Sequence, residues 1–354
     1  MRLAAVAFLS LVLASSASHL LALWLGFSRA AGGGIVIYRR IGPETGLQVF
    51  CGGSSVLRWA LSWSRVSESL GQGIENWGVA GSSPDIWEVS QQQRPLSNTT
   101  IIGVSVYDLN EMRLSDDRAN IVPLARTIND LWASGTEPLL SRRILAQYAL
   151  KSVRLLFPTA GKADKVLVGV RRKVAEQLGL QASLEEHEGV VLQPSGSVLE
   201  SGESTMKVSD WSPARVLRRI AALRAENRGR HEFFNGPKRI GFHRMLSQAR
   251  RQGHVIVVVL PVAKAYLEAF VDESVAAEFE RALGEAMADV PEATLVRLDR
   301  VRGISDHGYF ADLVHLNSFG RRVATQAFLT EALGGPLSQQ NRKSSSPTSM
   351  SAGN

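Results

Sequence analysis

The segment TGLQVFCGGSSVLRW, residues 45–59, is the part of the chain that most directly predicts the fold. It begins with a short apolar run, which is typical of a buried strand, and two glycines and two serines follow. Apolar residues then recur at helical spacing, at Leu57, Ala60, Leu61 and Val66. The segment therefore predicts a strand, a tight turn and a helix. Small residues suit such a turn on backbone grounds alone, and they also suit a turn that presents a serine nucleophile.

Further apolar runs continue this pattern along the chain. Strands are predicted at 76–80, within 98–111, at 255–260 and within 293–300. A last helix is predicted to have Asn317 as its N-cap and Gly334 at its end. Apolar strands alternating with helices indicate an α/β fold with a central parallel sheet covered on both faces. Residues 115–232 are too many for one crossover connection, and they predict a helical insertion.

The composition limits the class of protein. The formal net charge is +7, and the basic residues concentrate at 140–251. A solvated basic face explains this cluster, and an anionic lipid or glycan partner is the alternative. The charge is not accompanied by an aromatic-interleaved basic motif or a zinc finger, so no nucleic acid is predicted as a partner. Cys51 is the only cysteine, which excludes a disulfide framework and a multi-cysteine zinc site.

The N-terminal residues predict the cellular compartment of the protein. Residues 3–25 are almost entirely apolar and reach the roughly 20 residues that span a bilayer. Residues 1–28 therefore predict an uncleaved signal-anchor; a cleaved signal peptide and a buried first helix are the alternatives. With either signal, residues 29–335 are expected to form one exported domain, periplasmic in a single-pass membrane protein or secreted. Residues 336–354 lack apolar periodicity and predict a disordered tail.

The segment YFADLVHLNSFG, residues 309–320, places Asp312 and His315 three residues apart, just before the last predicted helix. This spacing lets the carboxylate reach Nδ1 of the imidazole and leaves Nε2 free to take a proton from a serine, as acyl transfer requires. By itself, the pair is equally explained as a surface contact at a helix start. The remaining histidines show no metal-ligand spacing, so neither a metal nor another cofactor is predicted.

Three features together resemble the SGNH (GDSL-like) hydrolase family: the glycine-rich turn with serine, the later turn NWGVAG, and the C-terminal D-x-x-H-x-N. The resemblance covers residues 46–112 and 236–332 and implies a three-layer α/β/α fold. Its membrane-anchored members with GSS at the nucleophile are the most similar in style. They include proteins of teichoic-acid D-alanylation and of exopolysaccharide O-acetylation.

Site residues follow from the resemblance, position by position. It implies a catalytic triad consisting of Ser54, Asp312 and His315. An alignment shifted by one residue makes Ser55 the nucleophile instead.

The resemblance also implies an oxyanion hole. Its donors would be the backbone N–H groups of Ser54 and Gly81 and the side chain of Asn110. The family's third motif, G-x-N-D, is matched only poorly by VYDLNE, and Asp108 is the alternative supporting residue there.

The implied function is that of an exported serine esterase acting on acyl esters of an extracytoplasmic glycan or lipid. An O-acyltransferase of the same fold, modifying a cell-surface polysaccharide within an envelope polysaccharide machinery, is the first alternative. A catalytically inactive module that binds glycan or serves as a scaffold is the second, and the poor third motif favours it. The implied partners are the acylated substrate and the membrane that the N-terminal segment would enter.

Overall fold

The computed structural model describes residues 10–18, 20–21, 39–41, 48–79, 81–92, 97–115, 118–156, 206–227 and 233–334. By its internal contacts the chain divides into two compact units. The larger unit comprises residues 36–115, 127–136 and 199–354, and the smaller one comprises residues 1–35, 116–126 and 137–198. The region of the predicted insertion is thus divided between the two units.

The larger unit is built on a six-stranded sheet. Its strands are β1 (Arg39–Ile41), β2 (Gln48–Ser54), β3 (Gly73–Val79), β4 (Thr99–Val104), β5 (His254–Val259) and β6 (Thr294–Arg297). In space their order is β1-β3-β2-β4-β5-β6. The strands from β2 to β6 are parallel, whereas the short edge strand β1 runs antiparallel to β3. The predicted α/β class with a central parallel sheet is confirmed.

Burial explains why the central strands were predictable. Every residue of β4 is buried, and β5 is buried from its second residue onward. A strand covered on both faces has no polar side, so it appears in the sequence as a continuous apolar run, such as VIVVV at 255–259. Together with β2, these strands form the centre of the core.

The described part of the chain also contains α-helices. They are α1 (Ser55–Ala60), α2 (Trp63–Leu70), α3 (Pro84–Gln92), α4 (Val106–Leu109), α5 (Arg118–Ile121), α6 (Leu124–Ala133), α7 (Pro138–Leu156), α8 (Pro213–Glu226), α9 (Pro237–Gln252), α10 (Lys264–Phe270), α11 (Glu273–Ala288) and α12 (Ser318–Gly334). Short 3-10 helices form at Val208–Asp210, Leu298–Arg300 and His307–Tyr309. The described residues within 115–232 carry α5 to α8 and contribute no strand to the sheet.

Two groups of helices lie against the sheet. α12 packs on both α1 and α2, and α9 packs on both α3 and α11. The connection from β2 to β3 passes through α1 and α2, whereas the connection from β3 back past β2 to β4 passes through α3. Right-handed connections that run in opposite directions place their helices on opposite faces of a sheet. The arrangement is compatible with three layers.

Two glycines let α1 lie directly on the strands. A Cβ at Gly103 would be 2.4 Å from Cδ1 of Leu57, and a Cβ at Gly53 would be 2.7 Å from the same side chain. Leu57 is fully buried within α1. Gly53, which directly precedes the two serines, therefore has a packing role. This packing fixes where α1 begins relative to the sheet.

The strand predicted within residues 98–111 is shorter in the structure than its composition predicts. β4 ends before Ser105, and a helical turn follows. The Ser105 side chain accepts a hydrogen bond from the Asp108 N–H, and the Asp108 carboxylate accepts one from the Ser105 N–H. This capping box overrides the β-branched composition of the segment. The helix predicted after the glycine-rich turn is also interrupted, because α1 ends at Ala60 and α2 begins at Trp63.

The predictions for the two termini fall largely outside the described residues. Residues 10–18 are helical, and 20–21 are the other described part of the predicted signal-anchor. In the described part of the chain, none of the helices combines the length and apolar character needed to span a bilayer. The predicted tail at 336–354 lies outside the described residues.

Candidate active site

The candidate residues lie at the carboxyl edge of the parallel sheet. Ser55 follows the last residue of β2, and Gly81 lies two residues after the end of β3. Because β2 and β3 pair with Ser54 opposite Val79, the loops that leave these strands are neighbours. In open α/β sheets, ligands bind in the crevice at the carboxyl ends of the strands. The turn between β2 and α1 therefore lies where this fold class binds its ligands.

The hydroxyl of Ser55 contacts the imidazole of His315. The distance from Ser55 Oγ to His315 Nε2 is 2.8 Å. Asn317 helps to hold the loop that carries the imidazole, because its amide donates to the Gly308 carbonyl at 2.8 Å. Its Oδ1 accepts from the N–H of Phe319, so the predicted N-cap of α12 is confirmed. The His315 side chain is 24% exposed, which leaves the pair accessible to a substrate.

Asp312 binds the opposite side of the imidazole. Its Oδ2 lies 2.9 Å from Nδ1 of His315, and its Oδ1 accepts from the backbone N–H groups of Val314 and His315, each at 2.8 Å. A carboxylate can only accept, so Nδ1 carries the proton and Nε2 is the acceptor. The Ser55 hydroxyl then donates to Nε2. Ser55, His315 and Asp312 form a continuous chain of hydrogen bonds.

The environment of Asp312 favours its ionised form. Burial raises the pKa of this carboxyl, but hydrogen bonds from His315 and from two backbone N–H groups, together with the charge of His315, outweigh burial and lower the pKa to about 2. A carboxylate that remains charged near neutral pH stabilises the imidazolium that forms when His315 accepts a proton.

Ser54 does not occupy the position predicted for it. Its Oγ accepts from the backbone N–H of Val56 at 3.0 Å and caps α1. Ser54 is only 3% exposed. The serine that contacts the His315 imidazole is therefore Ser55, the alternative in the sequence analysis, and not Ser54. The reason is that Ser54 is the last residue of a strand, where successive side chains point to opposite sides.

The Asp108 carboxyl caps the helical turn that follows β4. It is buried, and its Oδ2 accepts from the N–H and the hydroxyl of Ser105, at 3.0 and 2.7 Å. Burial raises the pKa of Asp108, and the nearby hydroxyls of Ser54 and Ser105 oppose that rise. Asp108, the alternative supporting residue of the sequence analysis, is thus held within the turn after β4.

Gly81 has the backbone conformation that favours glycine. Its φ is +67°, in the left-handed region that glycine enters without strain. A Cβ built at Gly81 would meet no atom within 4 Å, so the requirement for glycine is conformational and not steric. Its position beside the turn from β2 to α1 keeps the Gly81 N–H among the candidate oxyanion donors.

The Asn110 side chain is engaged in hydrogen bonds with Met112 and Asn227. Its side chain is fully buried, its Oδ1 accepts from the N–H of Met112 at 3.0 Å, and its Nδ2 donates to Oδ1 of Asn227 at 3.4 Å. These contacts stabilise the turn after α4. The early end of β4 is the physical reason, because the extra helical turn carries Asn110 into the interior. We therefore remove Asn110 from the oxyanion candidates.

Trp59 borders the candidate site and was not among the predicted site residues. It lies one helical turn after Ser55, and its ring packs edge-on against the His315 ring, with a centroid distance of 6.4 Å. The Arg321 guanidinium lies 5.8 Å from the centroid of the same ring. The four-residue spacing between Ser55 and Trp59 is the signal that could have placed both on one helix face.

Buried charges hold the loop after α4. The Lys238 ammonium donates to the carbonyl oxygen of Asn110 at 2.5 Å, and Glu111 Oε1 accepts from the N–H of Arg239 at 3.0 Å. Burial, the largest effect, lowers the pKa of Lys238 to about 8 despite the attraction of the Glu111 carboxylate. This cluster supports the segment that carries Asp108.

His307 has a structural contact. Its Nε2 accepts a hydrogen bond from the backbone N–H of Ala265 at 3.1 Å. Within the described ranges, the histidines, cysteine and carboxylates form no group of three or more that could hold a metal ion.

Comparison with known proteins adds no assignment to this site. No protein-family model matches the chain, and no curated protein matches it either. The functional argument therefore rests on the contacts of Ser55, His315 and Asp312.

Proposed function

We propose that this protein is a serine esterase with an SGNH-like three-layer α/β/α fold, acting through Ser55, His315 and Asp312. The observation that carries the proposal is the 2.8 Å contact between Ser55 Oγ and His315 Nε2, with Asp312 on the opposite ring nitrogen. The chain order also supports it, because a serine follows the first parallel strand and an Asp–His pair precedes the last helix.

The mechanism assigns two proton transfers to each half of the reaction. His315 Nε2 takes the hydroxyl proton as Ser55 Oγ bonds to the acyl carbon of an ester. When the carbon–oxygen bond of the ester breaks, the imidazolium gives this proton to the leaving alcohol. Water then attacks the acyl-enzyme and gives a proton to His315, and the imidazolium passes that proton to Ser55 Oγ as the bond to the acyl carbon breaks and the acid leaves. Asp312 holds Nδ1 protonated throughout and stabilises the imidazolium.

Backbone donors supply the oxyanion stabilisation in this proposal. The candidates are the N–H of Ser55, at the start of α1, and the N–H of Gly81, at the neighbouring strand end. A side-chain donor in an oxyanion hole is typically worth about 3 kcal/mol of transition-state stabilisation. With Asn110 occupied in its own turn, we expect a slower enzyme than one that has such a donor.

The proposed substrate is an acyl ester on an extracytoplasmic glycan or lipid, reached by a domain anchored at the cell membrane. The Trp59 ring beside His315 supports a glycan, because aromatic rings beside a reacting group offer an apolar surface with a polar edge. Transfer of the acyl group to a sugar hydroxyl would use the same acyl-enzyme, with the sugar in place of water.

Hydrolysis of p-nitrophenyl acetate by the full chain in mild detergent tests the proposal. Ser55→Ala and His315→Ala should each lower kcat by about 10³-fold or more, because each removes a member of the triad. Ser67→Ala is the matched control, since Ser67 is a buried serine whose hydroxyl donates to the Gln72 carbonyl at 2.6 Å, next to the start of β3. Equal turnover in all of these variants would reject the esterase. An oligosaccharide acceptor that gains the mass of an acetyl group would identify transfer.

A further inference from the structure

Residues 206–227, at the end of the predicted insertion, form a basic segment beside the candidate active site. They contain five lysine or arginine residues and two acidic residues. We propose that a basic surface, defined by Lys207, Arg215, Arg218 and Arg322, binds the anionic groups of the glycan that carries the ester. The inference rests on the proposed function and narrows its substrate to a glycan with carboxylate or phosphate groups.

The four cations of the basic surface lack acidic partners. Among the residues that the structure describes, none of the four forms an ion pair. Glu226, one of the two acidic residues in the segment, pairs instead with Arg113 at 3.6 Å. The carboxylate of the other, Asp210, accepts from the hydroxyl of Ser209 at 3.3 Å. Arginine donors match the oxygens of carboxylates and phosphates, so unpaired arginines at a surface suit an anionic ligand.

The helix α8 lies along the same edge of the sheet as Ser55. Just before α8, the Val208 N–H donates to the Phe310 carbonyl at 2.8 Å, in the loop between β6 and α12. At the end of α8, Glu226 pairs with Arg113, which follows β4 and α4. Between these points α8 packs on α10, which follows β5. The chain leaves β4, β5 and β6 at their carboxyl ends, so α8 crosses the edge that a substrate of Ser55 must approach.

Two of the cations lie on an aromatic ring close to His315. The Lys207 ammonium and the Arg322 guanidinium lie 4.9 and 4.7 Å from the centroid of the Phe319 ring. Phe319 is 40% exposed and comes four residues after His315. Contacts with a ring order the two long side chains and leave their N–H groups available to an anion. A binding group that is ordered before the ligand arrives lowers the entropy cost of binding.

The other two cations lie on one face of α8. Arg215 and Arg218 are three residues apart on this helix, and both are exposed. The Arg215 guanidinium lies 4.2 Å from the centroid of the Trp211 ring. A guanidinium stacked on a ring still presents its in-plane donors to a ligand. The basic surface therefore offers several binding points, which suits a chain of sugars with repeated anionic groups.

The apolar residues of the segment favour a glycan over a lipid surface. A helix that rests on a membrane buries a continuous apolar face. Within residues 206–227, the exposed large apolar side chains are Met206 and Leu217, which are separated by the 3-10 helix and the start of α8. Isolated apolar side chains are ordinary on a protein surface. The observations therefore favour a soluble anionic polymer as the ligand.

The test uses the full chain in mild detergent and a matched pair of double variants. Lys207→Gln/Arg322→Gln removes two cations of the basic surface. Arg251→Gln/Arg281→Gln is the control, because it removes two exposed arginines that form no ion pair within the described part of the chain. Arg251 lies just before β5, at the opposite edge of the sheet. Both variants lower the net charge by the same amount, so general electrostatic effects are matched.

Fluorescence anisotropy gives Kd for three labelled probes: an oligogalacturonate, a phosphorylated malto-oligosaccharide and the neutral malto-oligosaccharide. We expect wild type to bind at least one anionic probe about 10-fold more tightly than the neutral probe, and the tighter of the two identifies the anionic group. Lys207→Gln/Arg322→Gln should weaken that binding by about 10-fold, whereas the control should stay within about twofold of wild type. The ratio of kcat/KM between the O-acetylated anionic and neutral oligosaccharides should fall in parallel. The midpoint of thermal unfolding shows whether each variant is folded.

Three results would overturn the inference while leaving the esterase in place. The first is wild-type protein that binds all three probes equally. The second is equal Kd values for the two double variants. The third is a Lys207→Gln/Arg322→Gln variant that keeps the wild-type Kd for the anionic probes but loses a preference for phosphatidylcholine vesicles containing phosphatidylglycerol over vesicles without it. That result would assign the surface to lipid.

Failure of the proposed function would have a different signature. Wild-type protein that does not hydrolyse p-nitrophenyl acetate, or hydrolysis that survives Ser55→Ala, would reject the esterase. The basic surface would then be rejected as part of a substrate site, whatever the anisotropy shows.

Discussion

The hydroxyl oxygen of Ser55 and Nε2 of His315 are 2.8 Å apart, although 260 positions separate the two residues in the sequence. The parallel sheet makes this contact possible, because β2 delivers Ser55 to the same edge that the loop before α12 approaches with His315. Asp312, on the far side of the imidazole, fixes which ring nitrogen faces the serine.

Loss of the Asp312 charge should slow the reaction far more than it weakens binding. In Asp312→Asn the amide no longer holds Nδ1 protonated, so we expect kcat for p-nitrophenyl acetate to fall by about 10³- to 10⁴-fold. The matched control is Asp289→Asn, because Asp289 forms a second Asp–His contact, with Nδ1 of His243 at 2.7 Å. This control should keep wild-type kcat. A similar loss in both variants would contradict the special role of Asp312.

The lowered pKa of Asp312 should also make the stability of the protein depend on pH. Its pKa is about 2 in the folded protein, below the unfolded value, so its contribution is fully present above about pH 4 and is lost as the pH falls toward 2. Between pH 6 and pH 3, the difference in unfolding free energy between wild type and Asp312→Asn should shrink by about 1 kcal/mol. Urea unfolding followed by circular dichroism at both values measures it. A difference that does not change with pH would contradict the assigned pKa.

Two glycine substitutions should have opposite effects on stability. Gly103→Ala would place a methyl group 2.4 Å from Leu57, and the overlap should cost about 1–3 kcal/mol. Gly284→Ala, within α11, meets no atom within 4 Å and should gain about 0.5–1 kcal/mol from helix propensity. Urea unfolding of both variants provides the comparison. If Gly103→Ala leaves the free energy of unfolding unchanged, α1 can move away from β4, and the packing argument is wrong.

Removal of the buried ammonium at Lys238 should destabilise the loop after α4. Lys238→Met leaves the Asn110 carbonyl without this donor and the buried Glu111 carboxylate without the nearby positive charge, which should cost about 3 kcal/mol. Lys264→Met is the control, because Lys264 and its partner Glu268 are both well exposed, and its cost should stay below about 1 kcal/mol. If chemical denaturation shows that the two variants lose the same free energy of unfolding, the buried contacts of Lys238 do not contribute more to stability than an exposed ion pair.

The sheet was largely predictable, because buried parallel strands leave an unbroken apolar run in the sequence. β1 was missed, since three residues at an edge produce no such run. The end of β4 was misplaced for a different reason. The segment after it contains Val106 and Tyr107, residue types that favour strands, but the capping box between Ser105 and Asp108, a local hydrogen-bond pattern, decides its conformation.

The kind of candidate site was predictable, but the prediction was wrong in two details. The spacing of Asp312 and His315 indicated a contact that the structure contains. The choice between two adjacent serines depends on which way each side chain leaves the end of β2, and this direction follows from the register of the turn. The prediction that Asn110 is an oxyanion donor was wrong for a related reason, because the position of this residue depends on where β4 ends.

The most direct test of the central claim is to identify the residue that reacts with a fluorophosphonate. The full chain is incubated with the reagent, digested, and the modified peptide is sequenced by mass spectrometry. The account predicts a covalent adduct on Ser55, which is retained in Ser54→Ala and strongly reduced in His315→Ala. An adduct on Ser54, or labelling of Ser55 that does not depend on His315, would contradict it.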